Sequence, residues 1–290
     1  MAWFGLIAIP ALRAKVATLF LPKQNSIDLA KLKHEEAKMG HTNDKPDMRL
    51  SVPSYDYSLF GAVKTVPLDR IRQIIGERMT ASWQNVPHVT HHEEVDITAL
   101  EILRHQRNDA AGAGDQKLSS LAFIIKACVA GLKAFPDVNS SLDVSGNTLH
   151  LKQYYNIGMA VDTPAGLIVP VLKGAGDMDV SEIAACVAQL AEKARTGKLG
   201  FADTEGGTFT VTSLGKIGGT AFTPIINAPE VAILGVSRAR KKPVEYQGEI
   251  ALRLMLPLSL SYDHRVIDGA KAARFMGFMR DQLRAPEQMI

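Results

Sequence analysis

Cysteine is scarce in this chain: two, Cys128 and Cys186, among 290 residues. Each sits inside an apolar helical pattern, and neither has the paired spacing of a zinc or redox motif. A disulfide framework would be out of place, so a reducing compartment is expected, either bacterial cytoplasm or mitochondrial matrix. Excess charge is lacking too. The formal net charge is +3 and the basic residues are scattered, so electrostatics points to neither nucleic acid nor an anionic membrane as partner. Long apolar runs are missing as well: Pro10, Arg13 and Lys15 break up the segment that begins with Trp3, Phe4, Leu6, Ile7 and Ile9 before it reaches membrane-spanning length. A secretory signal places basic residues ahead of its apolar stretch, whereas the first charged side chain here is Arg13. A phosphate loop is also absent, because Gly215-Lys216-Ile217-Gly218-Gly219 lacks the spacing and reads as a turn.

What the chain does have is apolar material. Hydrophobic residues make up 46% of it and charged residues 22%, enough to bury one large core or two modest ones. From Ser26 to about Ser58 the composition turns polar and reads as a linker, followed by an ordered domain from near Val63. Leu68, Ile71, Ile74, Ile75 and Met79 recur at helical spacing, with Pro67 suited to a first turn. A strand is expected over His88 to Val95, then a helix from Thr98. A second helix carries the core stripe Leu118, Leu121, Ala122, Ile125, Cys128, Val129 and Leu132. Asn156 to Val161 and Gly166 to Val171 suggest a hairpin around Asp162-Thr163-Pro164-Ala165. Asp179 with Glu182 marks a helix start running to about Arg195. Thr208 to Thr212, Val231 to Gly235 and Leu254 to Tyr262 are strand-like, and a last helix starts at Asp268. Helices and strands mix without strict alternation, so the class is α/β with a mixed sheet.

The stretch with chemical content is Leu258 to Gly269, where an alternating strand runs into Asp263-His264-Arg265-Val266-Ile267-Asp268-Gly269. A strand on one side and a helix start on the other hold an imidazole in one orientation, which a general base requires. By pattern alone, a histidine between an aspartate and an arginine reads first as a satisfied residue of a charged turn.

That string resembles the active-site signature of the dihydrolipoyl acyltransferases, the cores of 2-oxo acid dehydrogenase complexes. The resemblance covers about Ser54 to Ile290 and includes Asn85-Val86-Pro87-His88, the run Gly207 to Gly215, and the run Pro224 to Gly235. The wording of Gly218-Gly219-Thr220-Ala221-Phe222-Thr223-Pro224 is closest to bacterial acetyltransferases of pyruvate dehydrogenase complexes. The resemblance implies a chloramphenicol acetyltransferase-like two-layer fold, with a mixed sheet and helices on one face. It implies transfer of an acyl group, acetyl by this wording, between dihydrolipoamide and coenzyme A. It places the base at His264, the hydroxyl donor to the oxyanion at Thr212, with Ser213 one residue away, and a structural carboxylate at Asp268. That carboxylate would cap the last helix and pair with an arginine of an early segment, for which Arg70, Arg72 and Arg78 are candidates. It also implies a homotrimer assembling into a larger core with the complex's other subunits, with His264 and Thr212 meeting across the subunit contact.

No metal is expected. His88, His91, His92, Glu93 and Glu94 form a tempting cluster, but on a strand His91 and His92 face opposite sides. Residues 1–53 are read as an extension and linker with no lipoyl domain and no Asp-Lys-Ala hairpin, against a catalytic domain over 54–290. The lipoyl group would then come from another chain or as free dihydrolipoamide. Two alternatives share the resemblance: a catalytically silent scaffold subunit of such a complex, and an acyltransferase for another small acceptor.

Overall fold

The computed structural model describes residues 55–112, 116–164, 166–215 and 217–290. Expectations for residues 1–54 and for Ala165 in the hairpin turn lie outside them. Contacts divide the chain into Met1–Thr65 and Val66–Ile290. In the first unit, Tyr57–Phe60 forms one 3-10 turn, started by Asp56, whose carboxylate accepts the Ser58 N–H at 3.0 Å.

The second unit opens with α1 (Arg70–Asn85) and β1 (His88–Asp96). Asp69 caps α1 by accepting the Arg72 N–H at 2.8 Å, so Pro67 lies ahead of the helix and not in its first turn. The apolar positions Leu68, Ile71 and Ile74 are exposed, and within α1 only Ser82 is buried. Next come α2 (Thr98–Ala110) and α3 (Ser120–Ala134), the latter capped by Ser119, whose side chain accepts the Ala122 N–H. Short strands follow: β2 (Ser140–Leu142), β3 (Leu149–Leu151), β4 (Ile157–Met159), β5 (Val161–Thr163), β6 (Gly166–Ile168) and β7 (Val171–Leu172). The expected hairpin is there in two storeys, since β5 pairs with β6 as a separate ribbon and β4 pairs with β7 in the main sheet. Helix α4 (Val180–Arg195) starts on the anticipated capping box between Asp179 and Glu182. The chain ends with β8 (Phe209–Ser213), β9 (Ala232–Val236), β10 (Arg240–Tyr246), the 15-residue β11 (Glu249–Asp263) and α5 (Gly269–Arg284).

Seven strands form one mixed sheet in the order β1-β11-β9-β8-β4-β7, with β10 paired to the outer half of β11. β8 runs parallel to β9 and β4, and the remaining pairs are antiparallel. One sheet face presents Phe209, Val211, Leu234, Leu258 and Leu260 to α3, α4 and α5, whose Phe123, Ile125, Leu132, Ile183, Phe275 and Met279 complete the core. Gly131 lets α3 approach α5: a Cβ there would stand 2.9 Å from the Phe275 ring. Cys128 belongs to this core and Cys186 packs against it, as small apolar residues. Burial pushes the Cys128 thiol up, which makes it inert. The opposite sheet face carries the small cluster Val86, Ile226 and Ile233, where the last turn of α1 touches it through a Ser82 hydroxyl donating to the Ile226 carbonyl at 2.6 Å.

Candidate active site

The turn after β11 is anchored at both ends. Asp263 is buried; its carboxylate accepts Arg265 Nε at 3.0 Å and Nη2 at 2.6 Å, together with the Arg265 backbone N–H. Its own N–H donates to the Val231 carbonyl at 2.8 Å, and its carbonyl accepts the N–H groups of Val266 and Ile267. Five residues on, Asp268 caps α5 by accepting the Lys271 N–H at 2.7 Å. That hydrogen bond, and the cations of Arg274 and Lys271, hold its carboxyl below the usual carboxylate range. His264 sits between these anchors. Its N–H donates to the Pro87 carbonyl at 3.0 Å, while its exposed ring leans on Tyr262 with centroids 5.9 Å apart. Burial, and then the Asp268 charge, push the Tyr262 phenol up, so the support beside the imidazole stays neutral.

The capping role expected for Asp268 is present. Among the described residues none of Arg70, Arg72 and Arg78 forms an ion pair with Asp268, and Arg72 instead pairs with Asp69 at 3.5 Å.

Thr212 and Ser213 lie at the end of β8. Phe209 and Val211 enter the core, so Thr210 and Thr212 belong to the opposite face. Thr212 is half-buried and stands opposite Gly235 of β9, whereas Ser213 is exposed opposite Val236. Glycine is needed at 235 because a Cβ would lie 2.7 Å from the Phe222 ring, which packs flat on the strand beside Thr212. Ser259 is also opposite Gly235. Five residues of strand and turn and two strand steps therefore separate His264 from Thr212 of the same chain, roughly 20 Å at about 3.3 Å per residue and 4.8 Å per strand.

A cavity of about 900 Å³ opens at the ends of β8 and β9. Ser213, Gly215, Val236 and Ser237 form the end nearest Thr212; Met159, Ile124 and Leu256 make an apolar wall, and Lys117, Arg195 and Arg238 supply cations. Sequence reasoning missed this site. Its one visible signal was the run of small residues Ala184, Ala188 and Ala191 on a single face of α4, which leaves room that larger side chains would fill.

The histidine cluster on β1 splits as its alternation requires. His92 Nδ1 lies 2.9 Å from the Ser259 hydroxyl on the face away from the main core, and His91 Nε2 lies 4.0 Å from Glu93 on the other face. Among the described residues no three His, Cys, Asp or Glu side chains are grouped to hold a metal ion.

The family model of the 2-oxoacid dehydrogenases acyltransferase (catalytic domain) matches residues 60–290. The chain belongs to this family. It is 53% identical over 223 residues to the dihydrolipoyllysine-residue acetyltransferase component of the pyruvate dehydrogenase complex of Cupriavidus necator, covering 77% of this chain and 40% of that protein. The Azotobacter vinelandii counterpart is 52% identical over 228 residues, covering 79% and 36%. The chain thus spans less than half the length of these relatives. Among solved structures, the A. vinelandii dihydrolipoamide acetyltransferase superposes with a TM-score of 0.79 at 50% identity, over 82% of this chain and 98% of that one. That crystallographic work concerns the catalytic roles of a serine, a histidine and an asparagine at its positions 558, 610 and 614. The cubic core of a pyruvate dehydrogenase multienzyme complex matches with the same score, identity and coverage.

Proposed function

We propose that this chain is the acyltransferase core of a pyruvate dehydrogenase complex, moving acetyl from S-acetyldihydrolipoamide to coenzyme A. The observation that carries the reading is a spacing. The 52-residue step from 558 to 610 in the Azotobacter enzyme equals the step from Thr212 to His264, and the four-residue step from 610 to 614 equals that from His264 to Asp268. The same count favours Thr212 over Ser213. Here a threonine stands for the serine, keeping the hydroxyl, and an aspartate stands for the asparagine, keeping the helix cap.

In this mechanism the His264 imidazole takes the proton of the coenzyme A thiol, and the sulfur attacks the thioester carbonyl. The Thr212 hydroxyl donates to the oxygen that becomes negative. Collapse expels the dihydrolipoamide sulfur, which recovers the proton from the imidazolium. The 900 Å³ cavity is the candidate berth for coenzyme A: Lys117, Arg195 and Arg238 offer cations for the phosphates beside the carboxylates of Glu101 and Asp162, the apolar wall suits the pantetheine, and Ser213 at its end adjoins Thr212.

One chain cannot bring its own two groups together across roughly 20 Å of sheet, so His264 acts with Thr212 of a neighbouring copy. A homotrimer closes three such contacts, and trimers build the larger core shared with the complex's other subunits. The direct test is transfer from S-acetyldihydrolipoamide to coenzyme A. His264→Ala should lose about 10²- to 10⁴-fold in kcat, and Thr212→Ala about 10²- to 10³-fold, each with the core still assembled. Near-normal turnover by either variant refutes its assignment.

A further inference from the structure

We infer that His88, outside the reacting groups, is a positioning residue that locks the two half-sites contributed by its own chain through one fixed tautomer. The inference rests on the acyltransferase reading for its kinetic consequence, though not for its structural one.

His88 opens β1 half-buried, with both ring nitrogens in use. Nε2 accepts the Ile226 backbone N–H at 3.0 Å, and an accepting nitrogen carries no proton. The proton therefore sits on Nδ1, which donates to the Val86 carbonyl at 2.7 Å. The ring is also held against Trp83, with centroids 5.2 Å apart. Each hydrogen bond reaches toward a different functional group. Val86 leads into Pro87, whose carbonyl accepts the His264 N–H, so the first bond steadies the turn that aims the base. Ile226 is fully buried against Val86 and Ile233 and closes the loop that begins at Phe222, the ring lying on Gly235 beside Thr212. The second bond thus steadies the wall of the oxyanion side. A neutral imidazole is the side chain that both donates and accepts in this geometry. Protonation or a hydrocarbon ring leaves the Ile226 N–H facing no acceptor.

None of these contacts touches the lining of the coenzyme A cavity, which gives a discriminating readout. His88→Phe keeps the ring against Trp83 and removes both hydrogen bonds. His88→Gln restores an acceptor toward Ile226. The assembled variants are assayed for acetyl transfer and followed by hydrogen exchange on peptides covering 222–233 and 259–268. For His88→Phe the expected result is a 10- to 100-fold fall in kcat, with the KM for coenzyme A within threefold of the parent and exchange at least tenfold faster in both peptides. His88→Gln should recover most of the protection in 222–233 and at least a third of the kcat loss on a logarithmic scale. Unchanged kcat and exchange in a folded His88→Phe core overturns the inference, as does an equal rise in KM, or a His88→Gln protein no better than His88→Phe. If the parent protein itself transfers no acetyl group, the function proposal fails alone, and the two exchange readouts still decide the role of His88.

Discussion

Glu230 is the residue whose environment departs most from what its type prefers. It is 3% exposed, on the loop that leads into β9. Burial pushes its carboxyl up to about 7, against the opposing pull of Thr210, Lys152 and Asn227. Lys152 is affected in the reverse sense: its own burial lowers it while Glu230 raises it. Because the folded state favours the neutral acid, the associated stability is fully present below about 4.5 and is lost as pH rises through about 7. Glu230→Gln removes that slope. In urea titrations the variant should gain roughly 2–3 kcal/mol relative to the parent between pH 5 and pH 8, and parallel stability curves would show that the carboxyl is not buried as described. Nothing in Asn227-Ala228-Pro229-Glu230 marks this in the sequence, where it reads as an ordinary polar turn; burial comes from distant residues such as Lys152 and Gly207 folding over it. His264 and Asp268 were singled out by the resemblance of their string; what local sequence shows there is the turn itself, since both of its anchors lie within six consecutive residues.

At the scale of elements, legibility followed how local the stabilising contacts are. Helices α4 and α5 start at the residues their caps indicated, because a cap is an interaction over three residues, whereas α3 was placed by its apolar stripe and its Ser119 cap went unread. β10 went unseen. It is an edge strand of sequence Arg-Lys-Lys-Pro-Val-Glu-Tyr, and the charges and proline that keep such an edge from pairing further also hide its alternation. It is fixed by contacts with its neighbours: a two-residue turn to β11 at Gln247 and Gly248, both with positive φ, an ion pair from its Lys242 to Glu94 of β1, and Arg253 of β11 lying 4.0 Å over its Tyr246 ring. The pairing of β8 with β9 invites a test at the same scale. Gly235→Ala forces the Phe222 ring off the strand beside Thr212. It should cost about 1–3 kcal/mol in stability and lower kcat more than it raises the KM for coenzyme A, as measured on the purified core. An alanine variant with parent kinetics and stability would mean that the ring is free to move without consequence for the site.

At the scale of the whole molecule, the sheet acts as a spacer. His264 stands at one end of β11 and Thr212 at one end of β8, roughly 20 Å apart by strand geometry, so under the proposed mechanism each chain offers half of two different sites. Mixing two inactive variants tests this without any structure of the assembly. A His264→Ala chain still carries Thr212, and a Thr212→Ala chain still carries His264. When the two are unfolded together in equal amounts and reassembled, roughly a quarter of subunit contacts in a closed ring unite the two intact groups and a similar fraction unite the two defects. Acetyl transfer should therefore return to about one quarter of the parent rate, whereas each variant reassembled alone stays at its own residual level. Sites contained within single chains would give no recovery at any mixing ratio. Recovery that rises and falls with the product of the two variants' fractions is the signature of a site divided between neighbours.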